Sequence, residues 1–167
     1  MTEKILRKYL EIKSLEDFHE VKKPSENYFV NLIDPKDFQL NKFFYKEIGK
    51  NCQWIDRLVW NDDNWIDYVS NEKLFTYVLK DNEEIAGYFE LIFDENTMEA
   101  EIAYFGILDE YLGKKLGGYL LSNAIKLSFS MGSLRVWVHT CSLDHKNALK
   151  NYLARGMRVF KSETLIR

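Results

Sequence analysis

The spacing of apolar and polar residues changes along this chain, and each change marks an element. Leu74 to Lys80 and Ile85 to Phe93 are dense in β-prone residues, and Asp81-Asn82-Glu83 between them suits a tight turn, so the pattern predicts a β-hairpin. Met98 to Leu108 continues as another strand after a turn at Asp94 to Thr97. Farther on, Leu120, Leu121, Ala124, Ile125 and Ser128 share one helical face that ends near Gly132. Leu134 to Thr140 reads as a strand. Asp144 to Arg155 reads as a helix burying Ala148, Leu149, Tyr152 and Leu153, with Gly156 as its stop, and Arg158 to Leu165 as a closing strand.

The first half is less regular. Tyr28 to Ile33 is a short β-prone run, followed by Asp34-Pro35 as a cap and first-turn proline. Phe38, Phe43, Phe44 and Ile48 then suit a helix that Gly49 would end. Between Gln53 and Ser70 a helical pattern is interrupted by the polar run Asn61 to Asn64, which predicts two short helices. Residues 1–26 are the least determined, an N-terminal extension in which Ser14 would cap a short helix through Phe18 and Val21 before Pro24. The expected fold class is mixed α/β (α+β), a mostly antiparallel sheet flanked by helices.

Composition narrows what such a fold can do. With 167 residues, 46% of them hydrophobic, the chain suits one core and hence a single domain over 1–167. A formal net charge of -3 argues against a basic face for nucleic acid and favours a cationic small substrate. Cys52 and Cys141 are too few for a disulfide framework, and no Cys/His spacing resembles a metal site, so no metal is expected. Neither a signal-peptide core nor a membrane-length apolar run is present, which points to a cytoplasmic protein without membrane association.

The stretch YLGKKLGGYLL, Tyr111 to Leu121, places three glycines and two lysines between a strand and a helix. A helix starting there aims unpaired backbone N–H groups and its positive dipole end beyond the strand, where a phosphate is a natural guest. A plain turn is the other reading of the same glycines. The P-loop is disfavoured because Gly117 is followed by Gly118-Tyr119, and the dinucleotide fingerprint because Gly113 is followed by two lysines.

From about Leu74 to Phe160 the chain resembles the GNAT superfamily of N-acetyltransferases. Members carry Arg/Gln-x-x-Gly-x-Gly/Ala at a strand-to-helix corner, where the backbone holds the pyrophosphate of acetyl coenzyme A. Here Leu112 stands at the Arg/Gln position, Lys115 at the first glycine and Gly117 at the second. The side chain of Lys115 would either contact a phosphate or obstruct one. The run Asn147 to Phe160 resembles the family helix Ala-x-x-x-Tyr-x-x-x-Gly-Phe, with Ala148, Tyr152 and Gly156 in place and Met157 for the phenylalanine. The resemblance implies a central twisted sheet with a splayed strand pair and an acetyl-coenzyme-A-binding core at 74–160. It places Phe105, Gly106 and Ile107, with Leu112, Gly113, Lys114, Lys115, Leu116, Gly117 and Gly118, around the cosubstrate, and His145 where members often have a contacting asparagine.

The same resemblance offers catalytic groups. Tyr152 stands where members protonate the departing thiolate, although its helical position equally suits packing with Ala148 and Leu149. Glu101, and after it Glu90, are candidate bases on adjacent strands; for Glu90 an ordinary sheet-face glutamate is the better reading. Gly106 within a strand suits close approach of a ligand or a bulge without one. His139, at a strand end, is a minor candidate. Trp54, Trp60, Trp65 and Tyr68, with Asp62 and Asp63, would form an acceptor pocket for a cationic amine unless they are simply core. The function implied is transfer of acetyl from acetyl coenzyme A to a primary amine of a small molecule by direct attack in a ternary complex. A non-catalytic acyl-coenzyme A sensor and a partner-binding α/β domain are the alternatives, and a homodimer is left open.

Overall fold

A computed structural model describes residues 2–167. Its seven strands form one sheet in the order β2-β3-β4-β5-β6-β1-β7. The predicted hairpin is β3 (Leu74–Asp81) and β4 (Glu84–Asp94), and β5 (Glu99–Ile107) extends the antiparallel meander. Short β2 (Tyr28–Leu32) pairs on the outer side of β3. After α3 (Leu116–Ser130) the chain returns as β6 (Arg135–Cys141), parallel to β5, then passes through α4 (Ala148–Ala154) to β7 (Arg158–Ile166).

The largest departure from the sequence reading lies at the N-terminus. Lys4–Ile12 is β1, inserted between β6 and β7, and only Leu15–Asp17 forms a helical turn, a 3₁₀ turn with Ser14 as its cap. The strand was hidden because its burial follows no single face: Leu10 and Ile12 are buried on one side of the pleat and Ile5 on the other. Its partners are also remote in sequence, with Leu10 opposite Val138 and Lys4 opposite Ile166.

Helix α1 runs Phe38–Cys52, past Gly49, and its cap is Asp37, whose carboxylate accepts from the Gln39 amide. Gly49 serves packing, since a Cβ there would lie 2.8 Å from Cβ of Trp54. The polar run at 61–64 opens α2 (Asp62–Ser70), where Asn61 and Asn64 form a reciprocal capping box. Residues 53–60 are turns and irregular backbone, and Ile55, Leu58 and Val59 are exposed, so no helix lies between α1 and α2.

Helices α1 and α2 cover one face of β2–β5, where Phe44 stacks on Tyr88 with ring centroids 4.7 Å apart. Helix α3 covers the other face over β4, β5 and β6 and buries Leu120, Leu121, Ala124 and Ile125 completely. Gly106 lets α1 approach the sheet, because a Cβ there would meet Cγ2 of Ile48 at 2.6 Å. Its place in the strand is explained by helix packing. Gly106→Ala is expected to destabilise the fold by about 1–3 kcal/mol in chemical denaturation, the range for overpacking a core.

Candidate active site

Strands β5 and β6 pair only from Glu99–Arg135 to Glu101–Trp137. Beyond that point β5 stays with β4 as far as Ile107, and β6 stays with β1 as far as Cys141. A bulge at Ala103, where Leu91 faces Ile102 and Glu90 faces Tyr104, bends β5 away. The two strands therefore splay, and the β5 edge beyond Glu101 has no ladder partner on its β6 side. A cavity of about 980 Å³ fills this wedge.

One end of the cavity is the glycine corner. Helix α3 begins at Leu116 with no side-chain cap, so the amides of Lys115, Leu116, Gly117 and Gly118 have no partner within the helix. Lys115, the residue before it, has φ 63°, and Gly113 has φ 79°. A left-handed conformation at the first glycine position of the family motif explains the usual glycine there; lysine adopts it at a cost of about 1–2 kcal/mol. The Asn151 amide donates to the Gly117 carbonyl at 3.0 Å and fixes α4 against this corner. Gly118 leaves room for the Arg155 guanidinium.

Phe105, Gly106, Ile107, Leu112, Gly113, Lys115, Leu116, Gly117, Gly118, His145 and Tyr152 all contribute to the cavity wall. Lys114 does not, and its ammonium lies 5.5 Å from the centroid of the Tyr111 ring. Nδ1 of His145 accepts from the Asn147 amide, which leaves Nε2 for a guest. Lys115→Ala is expected to weaken acetyl coenzyme A by about three- to tenfold in low-salt calorimetry, with a smaller effect at high salt. Tighter binding would show that the lysine obstructs the corner.

Tyr152 is 6% exposed, lies at the wedge, and its ring centroid is 6.3 Å from that of Phe105. Burial, with lesser effects of Asp144 and Cys52, raises its pKa well above the ordinary phenol value. It stays protonated at every physiological pH. The thiols of Cys52 and Cys141 are also raised by burial, the former to about 11, which disfavours a thiolate nucleophile.

Glu90 and Glu101 are not part of the cavity wall. Glu90 is completely buried beneath α1 and α2 and accepts from Tyr68 Oη at 2.6 Å, Asn41 Nδ2 at 2.8 Å and Arg57 Nη1 at 3.4 Å. The Arg57 guanidinium is enclosed by the rings of Tyr45, Trp60, Trp65, Tyr68 and Tyr104, at 4.0 to 5.5 Å from their centroids. Burial alone would lower the Arg57 pKa, but Glu90 and the hydroxyls of Tyr68, Tyr104 and Tyr88 together outweigh it and the net shift is upward. Of the aromatics expected to form an amine pocket, Trp60, Trp65 and Tyr68 instead surround the chain's own arginine, while Trp54 stands in the cavity wall. Asp62 pairs instead with Lys42 at the surface. Glu101 is raised by burial, opposed by Arg57 and reinforced by Glu90.

Two links in the wall are not readable from the sequence. The Trp54 indole donates to Asp144 at 3.3 Å, linking the α1–α2 loop to the β6–α4 loop across the wedge. Asp144 also accepts from the Thr140 hydroxyl at 2.6 Å and the Cys141 amide at 3.1 Å. Asn51 donates to Asp109 at 2.6 Å, joining α1 to the segment before the glycine corner. The Trp54–Asp144 and Asn51–Asp109 links join residues 90 and 58 positions apart in sequence, so no local spacing announces them.

The model of the GNAT acetyltransferase family matches residues 39–157. The chain belongs to the GNAT acetyltransferase family. No curated protein matches its sequence. Among solved structures it is similar to a GCN5-related N-acetyltransferase from Sphaerobacter thermophilus, with TM-score 0.71 and 15% identity over 97% of this chain and 50% of that one. It is also similar to a conserved protein of unknown function from Staphylococcus epidermidis, with TM-score 0.63 and 14% identity over 99% of this chain and 62% of that one. An aminoglycoside acetyltransferase from an uncultured soil metagenomic sample, solved with trehalose, has TM-score 0.64 and 11% identity over 80% of this chain and 90% of that one. The chain thus spans 50% to 62% of the length of the first two. Identities this low speak to the fold alone. No described helix is long and apolar enough to cross a membrane.

Proposed function

We propose that this chain transfers the acetyl group of acetyl coenzyme A to a primary amine by direct attack in a ternary complex. The observation that carries the reading is the wedge: β5 and β6 part beyond Glu101, and the uncapped end of α3 borders the opening. In this reading the amides of Lys115 to Gly118, with the Lys115 ammonium, hold the diphosphate. The unpaired edge of β5 around Phe105 to Ile107 offers N–H groups to the pantetheine arm and the thioester. Family membership supports acetyl transfer in general; the acceptor class and the direct route are ours.

Tyr152 in this scheme donates its hydroxyl hydrogen toward the departing sulfur. Among the described residues that hydroxyl has no hydrogen-bond partner to satisfy it, and Tyr152 lines the cavity. The raised thiols support direct attack over an acetylated cysteine. Release of free thiol from acetyl coenzyme A with a panel of primary amines tests the proposal. One observation favours a second reading, a sensor that binds acyl coenzyme A without turnover: Lys115 stands where the family cradle has glycine. Stabilisation by acetyl coenzyme A without thiol release for any amine would select it.

A further inference from the structure

We infer that His139 is the base that takes the proton from the attacking amine nitrogen. This rests on the acetyl-transfer reading above. Three observations lead to it.

The glutamates that would ordinarily be considered are placed elsewhere. The Glu90 carboxylate is occupied by Arg57, Tyr68 and Asn41, and neither Glu90 nor Glu101 forms part of the wall. His139 does form part of it, at the stretch of β6 that has already parted from β5. Its neighbour Val138 reaches the same cavity, as expected where an opening passes through a sheet. Alternation along β6 sets His139 on the face of Trp137 and the paired Tyr9, opposite the face of Val138 that α3 covers. The imidazole therefore stands on the side of the wedge away from α3, where Arg7 and Asp56 of the wall act on its charge.

The charge state fits the task. The groups acting on His139 are Arg7 on β1, Glu163 on β7, Asp56 in the α1–α2 loop and Asp144 in the β6–α4 loop. Burial lowers its pKa first and Arg7 lowers it further, while Asp144, Glu163 and Asp56 pull the other way; the net direction is down from 6.5. The imidazole is thus neutral at physiological pH, with a lone pair available. A base this weak suffices, because attack turns the amine nitrogen into a strongly acidic ammonium.

The step balances without a further reactant. The nitrogen lone pair forms the C–N bond to the carbonyl carbon, the C–S bond breaks with its electrons going to sulfur, and the sulfur takes the Tyr152 hydroxyl proton. The excess proton on nitrogen passes to His139. Exchange with water returns a proton to Tyr152 and removes one from His139.

The test is the pH dependence of kcat in wild type and His139→Gln, run beside an imidazole NMR titration of the wild type with acetyl coenzyme A bound. Wild-type kcat should rise with pH through a midpoint below 6.5 and then level, since the base works only when neutral. His139→Gln should lower the plateau about 100-fold and abolish that limb, with melting temperature and acetyl coenzyme A affinity retained. The His139 resonance should titrate at the kinetic midpoint. Thiol release by wild type combined with an acid limb that survives in His139→Gln, or that disappears instead in Glu101→Gln, overturns the assignment and leaves acetyl transfer standing. A His139 resonance that remains protonated above pH 7 also overturns it. Wild type that releases no thiol with any amine overturns both.

Discussion

Replacing Arg57 by alanine should destabilise the fold by about 3–5 kcal/mol, the cost of leaving one partner of a buried ion pair uncompensated. Arg57 is 7% exposed and Glu90 is 0% exposed, and the aromatic rings that enclose Arg57 cannot stand in for the missing charge. The substitution also leaves an empty volume between Tyr68 and Tyr104. For a chain of this size such a loss lowers Tm by roughly 10 °C. Glu90→Gln should cost nearly as much, because the guanidinium is then buried without its counter-charge. A double-mutant cycle separates the terms: Arg57→Met with Glu90→Gln should recover part of the sum, since the surviving partner no longer carries an unpaired charge. Loss of less than 1 kcal/mol in Arg57→Ala, read by denaturant titration, would contradict the buried-pair description. Because Tyr104 also lines the wedge, the network fixes the cavity wall from behind.

Tyr152→Phe should lower kcat by about 100-fold while acetyl coenzyme A affinity changes by less than about twofold, a loss near 2.7 kcal/mol confined to the transition state. The reason is geometric. The ring keeps its packing against Phe105 in the cavity wall, and only the hydroxyl is removed. Its raised pKa also predicts that Tyr152 contributes no alkaline limb below about pH 10. Stopped-flow or steady-state thiol release measures the first effect and calorimetry the second. A variant with unchanged kcat would reduce Tyr152 to a core residue.

How much of this was legible in sequence depends on how local the causes are. The hairpin 74–94, β5, α3, β6 and β7 announce themselves through dense β-prone runs or a 3.6-residue apolar face, and the structure has them within a residue or two. β1 was missed because each face of the strand carries both charged and apolar side chains, and because its partners lie more than 120 residues away. At Asn61 a helix start was read as a break, since capping residues and helix breakers are the same residue types. The glycine corner was legible because it is contiguous in the chain. Arg57 was not, since nothing in the sequence shows that this arginine turns into the aromatic cluster and takes the carboxylate of Glu90. The same holds for the Trp54–Asp144 link.

The most direct test is a ¹H–¹⁵N titration of the protein with acetyl coenzyme A. If the open end of α3 receives the diphosphate, the amides of Gly113 and of Lys115 to Gly118 shift first and most. Signals at these residues that stay in place up to millimolar ligand would mean that the corner binds no phosphate, and the enzymatic reading built upon it would be lost.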